Sequence, residues 1–198
     1  LPTIIKTFVS AMKGLKGSKA ATTNERTSLD LSSKFVLICI AVTAVLIWLL
    51  PPVQAGFISA LLIVIFGFFF ATVSSKMVGL VGSSNNPVSG MAIATLLIST
   101  ILLKVSGDTG SHGMVSAITI GSIICIIAAI AGDTSQDLKT GFLLGATPKK
   151  QQYGELIGAV VSALTIGGVL VLLDKAWGFG SAELSAPQAT LMKLVTEG

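Results

Sequence analysis

Residues 35–75 read FVLICIAVTAVLIWLLPPVQAGFISALLIVIFGFFFATVSS, two apolar runs joined by a double proline, with no Asp, Glu, Lys or Arg among them. A helix needs about 20 apolar residues to cross a hydrocarbon core about 30 Å thick. Pro51 and Pro52 cannot continue the first helix, and PPVQAG is long enough only for a hairpin. The stretch therefore predicts two antiparallel spans. Further charge-free runs cover 77–103, 109–132 and 156–173. Over the whole chain 11% of residues are charged and 52% hydrophobic, with a mean hydropathy of +0.88. A soluble domain carries about 25% charge to wet its surface, so the expected fold class is an all-α polytopic transmembrane helical bundle.

Five spans are predicted near 35–53, 56–75, 88–105, 114–131 and 154–173, within a transmembrane region at 35–186. Before it, 1–17 place Leu1, Ile4, Ile5, Phe8, Val9, Met12 and Leu15 at steps of three and four, with Lys6, Lys13 and Lys16 opposite. That is the pattern of an amphipathic interfacial helix; a connector helix packed within the same protein fits it as well. Residues 18–34 read as a polar cytoplasmic loop in which Ser32 or Ser33 caps the next helix. At the other end, 187–198 (PQATLMKLVTEG) reads as the start of a truncated further span. With Leu1 in first position, a central piece of a longer protein is expected.

Alternating the spans puts Lys6, Lys13, Lys16, Lys19, Arg26, Lys34, Lys76, Lys139, Lys149 and Lys150 on one side and Lys104 and Lys175 on the other. Basic residues mark the cytoplasmic loops of membrane proteins, so the N-terminal side is expected in the cytoplasm. The same placement explains the net charge of +4 without a nucleic-acid partner. Cys39 and Cys125 lie inside apolar runs and read as packing residues rather than metal ligands. Gly154 and Gly158, continued by Ala159, Ala163 and Gly167, predict close helix packing. His112 is read in an external loop.

Two stretches break the pattern. In GSSNNPVSG, Asn85, Asn86, Pro87 and Gly90 carry the signature of a helix start: Asn caps, and Pro suits the first turn. Backbone broken at membrane depth faces protein or a watery cavity, and helix N-termini aimed at a cavity favour anionic groups. An ordinary capped loop carries the same residues. The second stretch, 132–152, holds Asp133, Gln136, Asp137, Lys139 and Thr140 before Gly145 and Pro148, and is expected to dip into the protein from the cytoplasmic face as a short separate helix. Asp133 and Asp137 share a helix face at i, i+4; they bind a cation, relay protons, or pair with Lys139. Glu155, one turn into a span, is a candidate for proton coupling, or a first-turn acid beside Lys149 and Lys150.

GSSNNPVSGMAIATLL and AGDTSQDLKTGFLLGATPKKQQYGELIGA resemble two signatures of the oligopeptide transporter (OPT) family, which includes the yellow-stripe metal-chelate transporters. LPTIIKTF and APQATLM also resemble segments framing this region in its bacterial and archaeal members. The resemblance implies a larger transporter fold with interrupted or re-entrant helices near the substrate cavity. It implies secondary active, proton-coupled transport of small peptides or peptide-like metal chelates across the plasma membrane, with the remaining helices of the transporter and the bilayer as partners and no cofactor. By match to the motifs, Asn85, Asn86, Pro87 and Gly90 carry over as the interrupted-helix, cavity element, and Asp133, Gln136, Asp137, Lys139 and Thr140 as the cytoplasmic-side element.

Two other classes stay in view. A membrane-embedded transferase would use Asp133 and Asp137 to hold a metal–diphosphate. It wants more acids and an arginine, and Arg26, the single arginine, lies far off in sequence. A channel wants a filter or a ring of like charges, which no span supplies.

Overall fold

The computed structural model describes residues 25–49, 56–107 and 110–197; the amphipathic stretch at 1–17 lies outside them. A 3₁₀ turn, Arg26–Ser28, leads to six helices: α1 Ser33–Leu49, α2 Phe57–Val81, α3 Val88–Val105, α4 Ser111–Leu143, α5 Pro148–Trp177 and α6 Pro187–Glu197. The first five are long and apolar enough to cross a membrane. The bundle is all-α and polytopic, as the apolar runs predict.

Ser32 caps α1 as expected, its Oγ accepting the Phe35 N–H at 3.2 Å. Across the hairpin Trp48 meets Phe57 edge-on, with ring centroids 6.1 Å apart. Nothing in KMVGLV stops a helix, so α2 passes the expected end at 75 and runs to Val81. There the Gly82 N–H returns to the Val78 carbonyl at 2.9 Å. After the 3₁₀ turn Ser83–Asn85, α3 begins at Val88, directly behind Asn86 and Pro87.

The largest departure from expectation is at 132–152. No separate helix dips there, because α4 runs unbroken from Ser111 to Leu143. TSQDLKT has no Pro to break it, and its length of about 50 Å at 1.5 Å per residue exceeds a hydrocarbon core. The polar end of α4 is therefore an extension of the span. His112 belongs to the first turn of this helix rather than to a loop. α5 starts at Pro148, six residues before 154, with proline in the first turn where its missing N–H costs nothing.

α4 is the axis of the bundle. Its Ala117, Ile120, Ile124 and Ala128 are fully buried, and Ile63 and Phe70 of α2 and Met91, Leu96 and Leu103 of α3 close over them. α6 lies against α3 and α4. α1 and α5 stand at the periphery and bury no residue. The small-residue face of α5 finds no neighbour among the described residues: Gly154, Gly158 and Gly167 have nothing within 4 Å of where a Cβ would stand. The packing expected of that face is not made here.

Antiparallel order gathers the start of α1, the end of α2, the start of α3, the end of α4 and the start of α5 at one end. Arg26, Lys34, Lys76, Lys139, Lys149 and Lys150 lie there, while Lys104 and Lys175 sit in the last turns of α3 and α5 at the other.

Candidate functional site at the basic end

The α2–α3 interruption and the polar end of α4 meet at this end. The close approach of α2 to α4 is set by Gly132, which is buried. A Cβ on it would stand 2.7 Å from Asn86 Nδ2, 2.9 Å from Val78 Cγ2 and 3.0 Å from Ser74 Oγ. Through that gap, Ser74 Oγ donates to the Ala128 carbonyl at 2.5 Å. Asn86 Nδ2 donates to Ser74 Oγ at 2.7 Å and to the Ala128 carbonyl at 3.4 Å. Ser75 Oγ donates to the Ala131 carbonyl at 3.2 Å. Asn86 is thus a tie between three helices and not the expected cap; the start of α3 has no side-chain cap. Polar groups shielded from water must satisfy one another, and Ser74, fully buried on α2, offers the amide a partner. Asn86 Oδ1 is buried and lacks a hydrogen-bond partner.

One turn along α4, Asp133 and Gln136 hold the start of the interruption. Ser83 Oγ donates to Asp133 Oδ1, and the Ser83 N–H donates to Gln136 Oε1 at 2.8 Å. Asn85 turns back to the Val81 carbonyl at 3.2 Å. Pro87 and Gly90 are exposed, and Gly90 has open space where a Cβ would be.

Asp137 serves the other side of α4. Gln151 Nε2 from α5 donates to its main-chain carbonyl at 3.2 Å, and the Gln151 amide lies on Gly141, where any Cβ would collide with it. Glu155 follows one turn later, its carboxylate within reach of the Thr134 hydroxyl and electrostatically close to Asp137. Glu155 Oε1 and Gln151 Oε1 are both buried without a hydrogen-bond partner. Asp137, Thr140, Gly141, Leu144, Gln151 and Glu155 line an open cavity of about 360 Å³.

The two aspartates share a helix but not a task, and Lys139 latches neither. Its ammonium lies over the Phe142 ring, 5.2 Å from the centroid, because two residues beyond Asp137 it points off their face. Thr140 Oγ1 returns to the Gln136 carbonyl at 3.0 Å. Sequence reasoning alone does not reach Ser74, Ser83, Thr134 and Gln151, because their partners lie on other elements. Ser74 and Ser75, hydroxyls inside an apolar run, were the legible signal.

The metal–diphosphate alternative finds little here. Among the described residues no three His, Cys, Asp or Glu side chains gather to hold a metal ion. Arg26 is not remote, but its Nη2 is engaged by the Gly145 carbonyl at 2.8 Å.

Residues 2–198 match the model of the family described as OPT oligopeptide transporter protein. A Haemophilus influenzae protein named "Putative oligopeptide transporter" is 37% identical over 98% of this chain and 36% of its own length. A Saccharomyces cerevisiae protein of the same description is 33% identical over 54% of this chain and 14% of its own length. The chain thus spans about a third of the first relative and less of the second. No solved structure matches it. A family match over nearly every residue, on a bundle of apolar helices joined by two polar interruptions, decides the assignment: the chain belongs to the OPT oligopeptide transporter family.

Proposed function

We propose that the complete protein is a secondary active, proton-coupled transporter of small oligopeptides or peptide-like metal chelates in the cell membrane, with the basic end of this bundle cytoplasmic. Membership of a transporter family makes this an oligopeptide transporter segment and not an enzyme. One observation carries the finer reading: two carboxylates on facing helices, Asp137 and Glu155, line an open cavity at the basic end, where Gln151 Oε1 and Glu155 Oε1 are buried without a donor.

In this reading Glu155 carries the coupled proton. One end of its carboxylate is steadied by Thr134, while Oε1 is buried without a donor, so the anion is costly there and protonation would relieve that cost. Acidic side chains within spans are costly and are kept for such work. Asp137 lies beside it, so its charge senses whether Glu155 is occupied. Asn85, Asn86, Pro87 and Gly90 shape the interruption between α2 and α3, which Asp133 and Gln136 hold from α4; Thr140 lines the cavity itself, and Lys139 stands over Phe142.

The test is uptake of labelled di- and tripeptides and of iron chelates by cells expressing the full-length protein, with and without an imposed proton gradient. Accumulation that collapses with the gradient is expected. Uptake indifferent to the gradient would remove the coupling, and failure to take up either substrate class would remove the substrate assignment.

A further inference from the structure

Residues 26–31, in the polar segment before α1, are bound to the α4–α5 turn and the first turns of α5. Arg26 Nη2 donates to the Gly145 carbonyl at 2.8 Å. The Lys149 N–H donates to the Leu29 carbonyl at 2.8 Å. The Leu31 N–H donates to Gln152 Oε1 at 2.9 Å, and Gln152 Nε2 donates to Asp30 Oδ1 at 3.3 Å. Phe35, in the first turn of α1, adds a ring contact with Tyr153 at 6.3 Å between centroids. Two of these bonds satisfy groups that helix ends leave over: a carbonyl just past the end of α4 and an N–H in the first turn of α5.

α5 needs such a hold. It buries no residue, and its side-chain anchors on α4 lie within 151–155. Gln151 and Gln152 are neighbours that face opposite ways, one to α4 and the other to the segment before α1. Residues 149–155 are thus held between two layers, with Glu155 at the inner edge.

We propose that residues 26–31 are a clasp that positions the first two turns of α5 on α4, holding Glu155 toward Thr134 and Asp137. Arg26 and Gln152 are positioning residues: neither lines the cavity, and Arg26 acts through the backbone of the α4–α5 turn while Gln152 acts from the first turns of α5. The part played by Glu155 rests on the transport reading above; the clasp itself does not.

The test uses the full-length transporter in lipid nanodiscs, with amide hydrogen exchange followed in peptides covering 144–155 and 160–175. Arg26→Ala should speed exchange at 144–155 about five- to tenfold, the factor one net hydrogen bond supplies to a local opening, and leave 160–175 unchanged. Arg26→Lys, which keeps a donor, should restore most of the protection. Gln152→Glu, which sets a carboxylate against Asp30, should act like Arg26→Ala and replaces it if that variant fails to accumulate. Unchanged exchange at 144–155, or an equal rise in both peptides, would overturn the clasp. The pH profile of uptake should shift in Arg26→Ala and return in Arg26→Lys; an unmoved profile beside a loosened 144–155 would overturn the positioning of Glu155. Gradient-independent uptake by the unmutated protein would instead sink the coupling reading and leave the exchange result to decide the clasp.

Discussion

Gly132 and Gly141 are the two positions where α4 lets a partner's polar side chain reach its backbone. At Gly132 the neighbours of a new Cβ are Asn86, Val78 and Ser74, packed on two other elements, with Val78 and Ser74 buried. Gly132→Val should cost about 1–3 kcal/mol, as overpacking does, and lower the melting temperature of the detergent-purified protein by several degrees. At Gly141 the obstruction is the flexible end of Gln151, which can swing away. Gly141→Ala should therefore leave the stability within about 1 kcal/mol of wild type, with little change in melting temperature, while releasing Gln151 from the Asp137 carbonyl. A drop as large as that of Gly132→Val would show the Gln151 contact to be structural. For the carboxylates, Asp137→Asn and Glu155→Gln should both weaken gradient-driven uptake while expression and melting stay near normal. Normal concentrative uptake by either removes that residue from coupling.

The element that departs furthest from its sequence reading is α4. A short dipping helix at 132–152 would have a flexible joint near Gly132, and a proline just after it would be tolerated. A continuous helix through Leu143 would lose a backbone bond and gain a ring clash. Ser135→Pro should therefore cost about 3 kcal/mol or more, read as loss of folded protein on size-exclusion chromatography. Full tolerance would restore the separate helix. The α2–α3 break behaves in the opposite way, for it was legible from Asn86 and Pro87 alone. What those residues did not disclose is that the Asn86 amide would leave the helix start and bind Ser74. Capping is a local preference worth about 1 kcal/mol, and a buried hydroxyl and carbonyl on neighbouring helices compete with it on equal terms.

At the scale of the whole molecule, the buried core is confined to α2, α3, α4 and α6, while α1 and α5 are sheathed in exposed apolar side chains. The topology predicts that cysteines replacing Ser84 and Ser106, in a protein with Cys39 and Cys125 changed to serine, react with a membrane-impermeant maleimide from opposite sides. Ser84 should be labelled from the cytoplasm. Labelling from one side would invalidate the order of the spans, and labelling of Ser84 only from outside would reverse the orientation.

Composition and charge spacing determined that this chain is a membrane-embedded bundle of five apolar helices, and Asn86 and Pro87 marked its first break, while the ends of α2 and α4 and the start of α5 lie six to twelve residues beyond the predicted spans. The spans and the break follow from the thickness of the bilayer and from proline and glycine chemistry, which act locally and need no partner. The family was legible as well, because its motifs are contiguous in sequence. Only the tertiary structure decided which polar groups meet: Asn86 with Ser74, Asp133 with Ser83, Gln151 with Asp137, Glu155 with Thr134 and Arg26 with Gly145. Each pair joins different elements, and a polar side chain takes whichever donor or acceptor the packing brings within about 3 Å. The sequence fixes that polar groups at this end must be paired; the crossing of α2, α3, α4 and α5 fixes with whom.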